Sequence, residues 1–128
     1  MTVKIIRLGT ARSDGEGLRI GTVRRPPRGV PKTEFASKDW YDVWYPNLAP
    51  SVETMKLGQS VGTDQEWGAF SRKYRAEMNA PDASRNLDLL AALSHRTSFA
   101  VGCYCENEAR CHRSLLRELL RERGAVIG

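Results

Sequence analysis

Nothing in the 128-residue chain approaches the run of about 20 apolar residues that crosses a bilayer. The opening Met1-Thr2-Val3-Lys4-Ile5-Ile6 lacks the charged-then-apolar pattern of an export signal. No membrane partner is expected, and the expected location is cytoplasmic. Cysteine is scarce: three residues, an odd count confined to positions 103–111. That excludes a paired disulfide framework and suits reactive or ligating thiols in a reducing compartment. Internal repeats, low-complexity runs and linkers are absent, so residues 1–128 read as a single domain. A hydrophobic fraction of 41% excludes intrinsic disorder. Acidic residues are few in the first third, where nine basic residues between Lys4 and Lys38 face only Asp14, Glu16 and Glu34. Concentrated positive potential of this kind steers and holds anions, so a small anionic ligand, a nucleotide-like molecule or nucleic acid is the expected partner.

Val3 to Leu8 is a short β-branched run closed by Gly9-Thr10, and Leu18 to Val23 alternates with many β formers; both predict strands. Arg24-Arg25-Pro26-Pro27-Arg28-Gly29-Val30-Pro31 cannot extend a ladder or a helix, because three prolines remove amide donors and fix φ. Arginines on such a stiff loop can clamp an anion, the guanidinium fork matching phosphate or carboxylate. Trp40, Tyr41 and Trp44 have the spacing that one helical turn places on a common face. Ser51 is the expected cap of a helix over Val52 to Leu57, and Thr63 with Glu66 has capping-box spacing ahead of Trp67, Phe70, Tyr74 and Met78. Pro81 ends that helix, Asp82 is the expected cap of the next, and Leu87, Leu90, Ala91 and Leu93 carry it to a helix-end His95.

Phe99 to Cys103 predicts a further strand and Cys111 to Arg123 a last helix, stopped at Gly124, with Leu115, Leu116, Leu119 and Leu120 as its buried stripe. Ala125-Val126-Ile127 is a candidate short edge strand. Strands separated by helical segments predict an α/β fold: a small parallel or mixed sheet of about three to four strands covered by helices.

Between that strand and the last helix lies Cys105-Glu106-Asn107-Glu108-Ala109-Arg110-Cys111-His112-Arg113. In an open α/β sheet, ligands bind beyond the carboxyl ends of strands, and a helix start there favours anions and lowers thiol pKa. The candidate catalytic residues are therefore Cys105 and Cys111 as nucleophiles, with His112 and Glu106 as candidate bases; Arg25, Arg28 and Arg113 are the candidate ligand-binding residues. Cys103, deeper in the apolar strand, reads as a small core residue. No cofactor is required by this reading. The alternative is a zinc or iron site on Cys105, Cys111 and His112. Cysteine phosphatases and rhodaneses share the order strand, cysteine loop, helix, but their loops are glycine-rich. Here Glu106 and Glu108 would repel a phosphate if both pointed inward.

Several of these segments together resemble the bacterial DUF488 family and its YeaO-like branch. The resemblance is carried by Val3 to Thr10, by Leu18-Arg19-Ile20 leading to Arg25-Pro26-Pro27-Arg28-Gly29, by Trp40, by Leu48-Ala49-Pro50-Ser51, and by Trp67, Phe70 and Tyr74. Its most specific part is the pair Cys105-Glu106 and Cys111-His112-Arg113. Where the YeaO-like pattern has an aspartate and an arginine before Pro-Arg-Gly, this chain has Val23-Arg24-Arg25, so an acidic group is missing there. The resemblance implies an α/β fold and a site combining the Pro-Arg-Gly loop with the Cys-Glu and Cys-His-Arg residues. It implies no particular reaction.

Overall fold

The protein, described here over residues 1–128 by a computed structural model, is built on a four-stranded parallel sheet. The strands are β1 (Val3–Arg7), β2 (Leu18–Gly21), β3 (Val43–Trp44) and β4 (Phe99–Cys103), in the spatial order β1-β4-β2-β3. The central strand β4 is buried along its whole length, as parallel strands covered on both faces are, and it pairs with β1 and β2 in register Val3–Phe99 and Leu18–Phe99. The helices are α1 (Val52–Gln59), α2 (Asp64–Met78), α3 (Pro81–Leu93) and α4 (His112–Glu122). Three of them fall between β3 and β4. The first two crossovers, β1 to β2 and β2 to β3, contain no α-helix at all.

The helices form as the local chemistry dictates. Ser51 accepts the Thr54 amide at the start of α1, and Glu77 of α2 accepts the Ser51 amide and both the Ser51 and Thr54 hydroxyls, which joins the two helices. Thr63 accepts the Glu66 amide, while the Glu66 carboxylate reaches back to the Gly62 amide rather than to that of Thr63. The third helix begins at Pro81 itself, with Ala80 as its cap, two residues before the start expected from a cap at Asp82. Proline at the first helical position has φ already set and lacks only an amide that would be unpaired anyway. Gly124, at φ 84°, ends α4 in the left-handed conformation that glycine adopts freely.

The main core joins Val3, Ile5 and Val101 of the sheet to Leu87, Leu116 and Leu120 of the helices. A second, smaller cluster gathers Leu8, Val23, Tyr41, Cys103 and Cys111, with Phe35, Trp40 and Tyr104 against it. The C-terminal segment adds a single parallel bridge, Val3 to Ile127, instead of a full strand.

The aromatic segment departs from expectation. Residues 32–45 hold only a short 3-10 helix, Lys32–Glu34, then turns and β3, and Asp39 sits at φ 61°, incompatible with a continuous helix. Tertiary packing overrides the helical spacing. Tyr41 is buried against Gly21, where a Cβ would stand 2.3 Å from its ring; the Trp44 indole donates to the Val23 carbonyl at 2.8 Å; Trp40 turns the other way.

These crossovers are held by a buried ion pair. Arg19, fully buried on β2, donates from Nε and one terminal nitrogen to Glu16 at 2.9 Å, and from the other to the carbonyls of Thr10 and Asp39. Its fork thereby ties together both loops that lack a helix. Burial pushes the Glu16 carboxyl up, but the hydrogen bonds from Arg19 prevail and hold it below the usual glutamate value. Because the folded value is depressed, the pair's stabilisation is present at neutral pH and is lost as pH falls through the folded-state value. Glu16→Ala leaves the guanidinium buried without its counter-charge and is expected to cost about 3–5 kcal/mol in urea unfolding at pH 7. The difference from the parent protein should shrink as the pH is lowered through the acid range; a constant difference would mean that the pair is not the source.

Candidate functional site

The three strand ends point into one cleft. Arg7 closes β1, Val23 to Arg28 follow β2, Cys103 closes β4 and Tyr104 and Cys105 follow it, all on the carboxyl side of the parallel sheet; α1 and α2 supply the facing wall through Met55, Gly58 and Phe70. The cleft has a volume of about 1230 Å3. It brings Arg25, Arg28, Cys105, Cys111 and His112 together, five of the seven residues singled out from the sequence.

Glu106 and Arg113 do not line it. Glu106 points outward to Arg7 at 3.4 Å, an exposed pair, and so is not placed as a base for either cysteine. Glu108 is engaged by Arg117. The repulsion foreseen for an inward-facing acidic loop is therefore absent, because neither carboxylate lines the cleft: Glu106 is held by Arg7 at its edge and Glu108 by Arg117 away from it. Arg113 lies behind the loop, 5% exposed, and donates to the carbonyls of Cys105 at 2.8 Å and Glu106 at 3.4 Å. It holds the cysteine loop from the rear and is out of reach of a ligand.

Cys103 is buried, as its strand position requires, but it is more than filling: it joins the thiol group at the floor of the cleft. The Cys103 and Cys111 sulfurs and a ring nitrogen of His112 all lie within 4.8 Å of one another. The apolar character of the strand marks Cys103 as core, while strand alternation, which puts residues 103 and 105 on one side, is the signal for its second role. Cys105, the only exposed cysteine, completes the group. Contact with the Cys103 and Cys111 thiols lowers its pKa far below the usual thiol value, helped by the positive field of Arg113 and opposed by burial. The counterpart is seen at its neighbours. Contact with Cys105 and Cys111, and then burial, push Cys103 far up; at Cys111 the contact with Cys103 acts downward, but Cys105 and burial outweigh it and push it up to about 12. The contacts among the three thiols thus favour ionisation at Cys105 over Cys103 and Cys111.

His112 is buried, and burial holds its imidazole below the usual pKa, in the neutral form. Its Nε2 lies 2.8 Å from the Thr22 carbonyl, which can only accept, so Nε2 carries the proton and Nδ1 carries the lone pair. Nδ1 faces the Cys111 sulfur at 3.9 Å. The histidine is thereby paired with Cys111 and not with Cys105. Cys111 is the N-cap of α4, so the amide end of that helix opens on the same floor.

The electrostatics of the lining are one-sided. Arg7, Arg24, Arg25, Arg28 and Arg110 line the cleft, and no aspartate or glutamate does. Three of these are engaged: Arg7 by Glu106, Arg24 by the carbonyls of Ala49 and Pro50, and Arg110 by Asp64. Arg25 and Arg28 are exposed, and no side chain of the protein neutralises them. The rest of the basic first third is mostly consumed locally: Arg12 pairs with Asp42, Arg19 with Glu16, and Lys38 with Glu34. No helix of the structure is long and apolar enough to cross a membrane.

Residues 3–124 match the family model described as the active DUF488-N3 subclade. No curated protein and no solved structure matches the chain. The match spans β1 through the end of α4, and includes the Arg25 to Gly29 loop, Cys105-Glu106 and Cys111-His112-Arg113. The chain therefore belongs to the DUF488 family, in its active N3 subclade.

Proposed function

We propose that the protein binds a small anionic ligand between Arg25 and Arg28 and acts on it through the Cys105 thiolate. The observation that carries this reading is the composition of the cleft: the unpaired Arg25 and Arg28, the exposed Cys105 whose thiol neighbours favour its ionised form, and no carboxylate in the lining. Guanidiniums on the Pro26-Pro27 loop are presented on a stiffened backbone, so little ordering is needed when an anion arrives. In the proposed step Cys105 Sγ forms a bond to an electrophilic atom of the ligand, whose leaving group departs with its electron pair and takes a proton from solvent. Water then cleaves the thio-adduct and returns the thiolate. Arg113 keeps the Cys105 backbone in place and adds positive field. Neither His112 nor Glu106 has a role as base to this sulfur, because the thiol contacts already favour its charged form.

A second reading has one observation of its own. The lone pair on His112 Nδ1, fixed by the Thr22 carbonyl, converges with the Cys103 and Cys111 sulfurs, a donor set suited to zinc or another thiophilic divalent cation, with Cys105 as a fourth donor from the cleft side. Binding would draw the donors inward, since zinc holds sulfur and nitrogen at about 2.0–2.3 Å.

Two measurements separate the readings. In fully reduced, metal-free protein, iodoacetamide is expected to label Cys105 first, because Cys103 and Cys111 are 1% and 2% exposed. Inorganic phosphate should slow that labelling, and Arg25→Gln or Arg28→Gln should weaken the protection about tenfold or more, the loss of a charge-assisted hydrogen bond. Labelling that is indifferent to phosphate and to both substitutions would sink the anion reading. Titration of the same protein with Co2+ tests the second: a tetrahedral visible spectrum with sulfur charge-transfer bands at one equivalent, lost in Cys103→Ser, is the expected signature. A Co2+ spectrum that stays octahedral counts the metal site out.

A further inference from the structure

The cleft is too large and too apolar for an inorganic anion alone. Its volume of about 1230 Å3 lies just above the roughly 300–1,000 Å3 typical of sites for organic molecules of drug or cofactor size, so it has room for one. Beside the arginines its walls carry Trp40, Tyr104, Leu8, Val23, Met55 and Phe70. Trp40 and Tyr104 meet edge to face, with ring centroids 5.8 Å apart and planes at 79°, which makes a right-angled aromatic corner. Both sides of the corner are fixed. Trp40 lies against Gly9, where an added Cβ would stand 2.8 Å from the indole, and the Tyr104 hydroxyl donates to the Arg25 carbonyl at 2.9 Å. That last bond ties the aromatic wall to the loop that carries the free arginines, so the apolar and anionic halves of a ligand would be read by one rigid unit. The absence of any lining carboxylate disfavours a ligand bearing an ammonium group, such as an amino acid or polyamine. With Arg7, Arg24 and Arg110 already engaged, two guanidiniums are left, enough for one phosphate group and not for a polyphosphate.

We infer that the ligand is a nucleoside monophosphate, its phosphate held by Arg25 and Arg28 and its base against the Trp40–Tyr104 corner. This rests on the anion-binding reading above and gives it a ligand class. Stacking of a base on an aromatic side chain adds about tenfold or more to affinity and tolerates any base, because each has a π face. The phosphate is then the handle and not the reacting group, and Cys105 lies at the floor, beyond the handle.

Calorimetric titration of the reduced protein with adenosine 5′-monophosphate, adenosine and inorganic phosphate tests the inference. The monophosphate is expected to bind at least tenfold tighter than either fragment. Arg28→Gln should bring it to the level of adenosine, and Trp40→Leu to the level of phosphate while phosphate binding itself is unchanged, which also certifies that the variant is folded. If the monophosphate binds no better than phosphate, the base is not recognised and the inference falls while the anion reading stands. If none of the three binds, both fall. A 5′-phosphorylated single strand that binds more tightly than the mononucleotide would overturn the inference in favour of a strand end.

Discussion

The carbonyl oxygen of Gly102 and that of Thr22 organise the working end of this molecule. Gly102, next to last on the central strand, accepts the Thr22 amide and the Thr22 hydroxyl, both at 3.0 Å; Thr22 in turn accepts from His112 at 2.8 Å. Three pieces of chain distant in sequence, the end of β2, the end of β4 and the first turn of α4, are locked by these few bonds. The strand spacing leaves no slack. A Cβ at Gly102 would stand 2.6 Å from the Ile6 carbonyl, so β1 and β4 approach at this level only because that side chain is absent. The same junction that closes the sheet also fixes the tautomer of His112 and seats Cys111 as the cap of α4. Structure and chemistry therefore share one set of hydrogen bonds.

Around that junction, charge is distributed with economy. Half of the guanidiniums of the basic first third are neutralised within the fold, Arg19 by a buried carboxylate, Arg12 by a partly exposed one and Arg7 by the exposed Glu106. In the cleft, the arginines left without a partner are Arg25 and Arg28, on the loop that shares the lining with the three thiols. Arg113 is buried without any carboxylate partner, its Nε without a hydrogen bond, and its field acts on the Cys105 sulfur. A buried cation of this kind is costly unless an anion stands near it, and its field favours the ionised form of the Cys105 thiol. The departure at Val23-Arg24-Arg25 fits the same pattern: where the YeaO-like pattern has an aspartate, this chain offers the cleft no acid at all.

How far the sequence was legible varied with the range of the forces involved. The strand Phe99–Cys103, the caps at Ser51 and Thr63, the Leu115 to Leu120 stripe and the stop at Gly124 were readable because each is decided by neighbours within a few residues. The helical spacing of Trp40, Tyr41 and Trp44 misled, since those rings are drawn in three directions by partners that local pattern does not reveal: Tyr104, Gly21 and Val23. The two crossovers without helices were equally hidden, their cohesion coming from the buried fork of Arg19. Cys103 was taken for core because burial and chemistry looked like alternatives, and here they coincide.

The sequence by itself determined the α/β class, the family, and the confinement of the thiols to one strand-to-helix loop, because strand alternation, helical periodicity and a short cysteine motif are properties of contiguous residues. Only the tertiary structure decided that Arg25 and Arg28 face those thiols while Glu106 and Glu108 turn to Arg7 and Arg117, and that His112 Nδ1 is left with its lone pair. Those choices depend on which carbonyls and guanidiniums end up within about 3 Å of one another across the parallel sheet, a question of strand order and helix docking that no single segment contains.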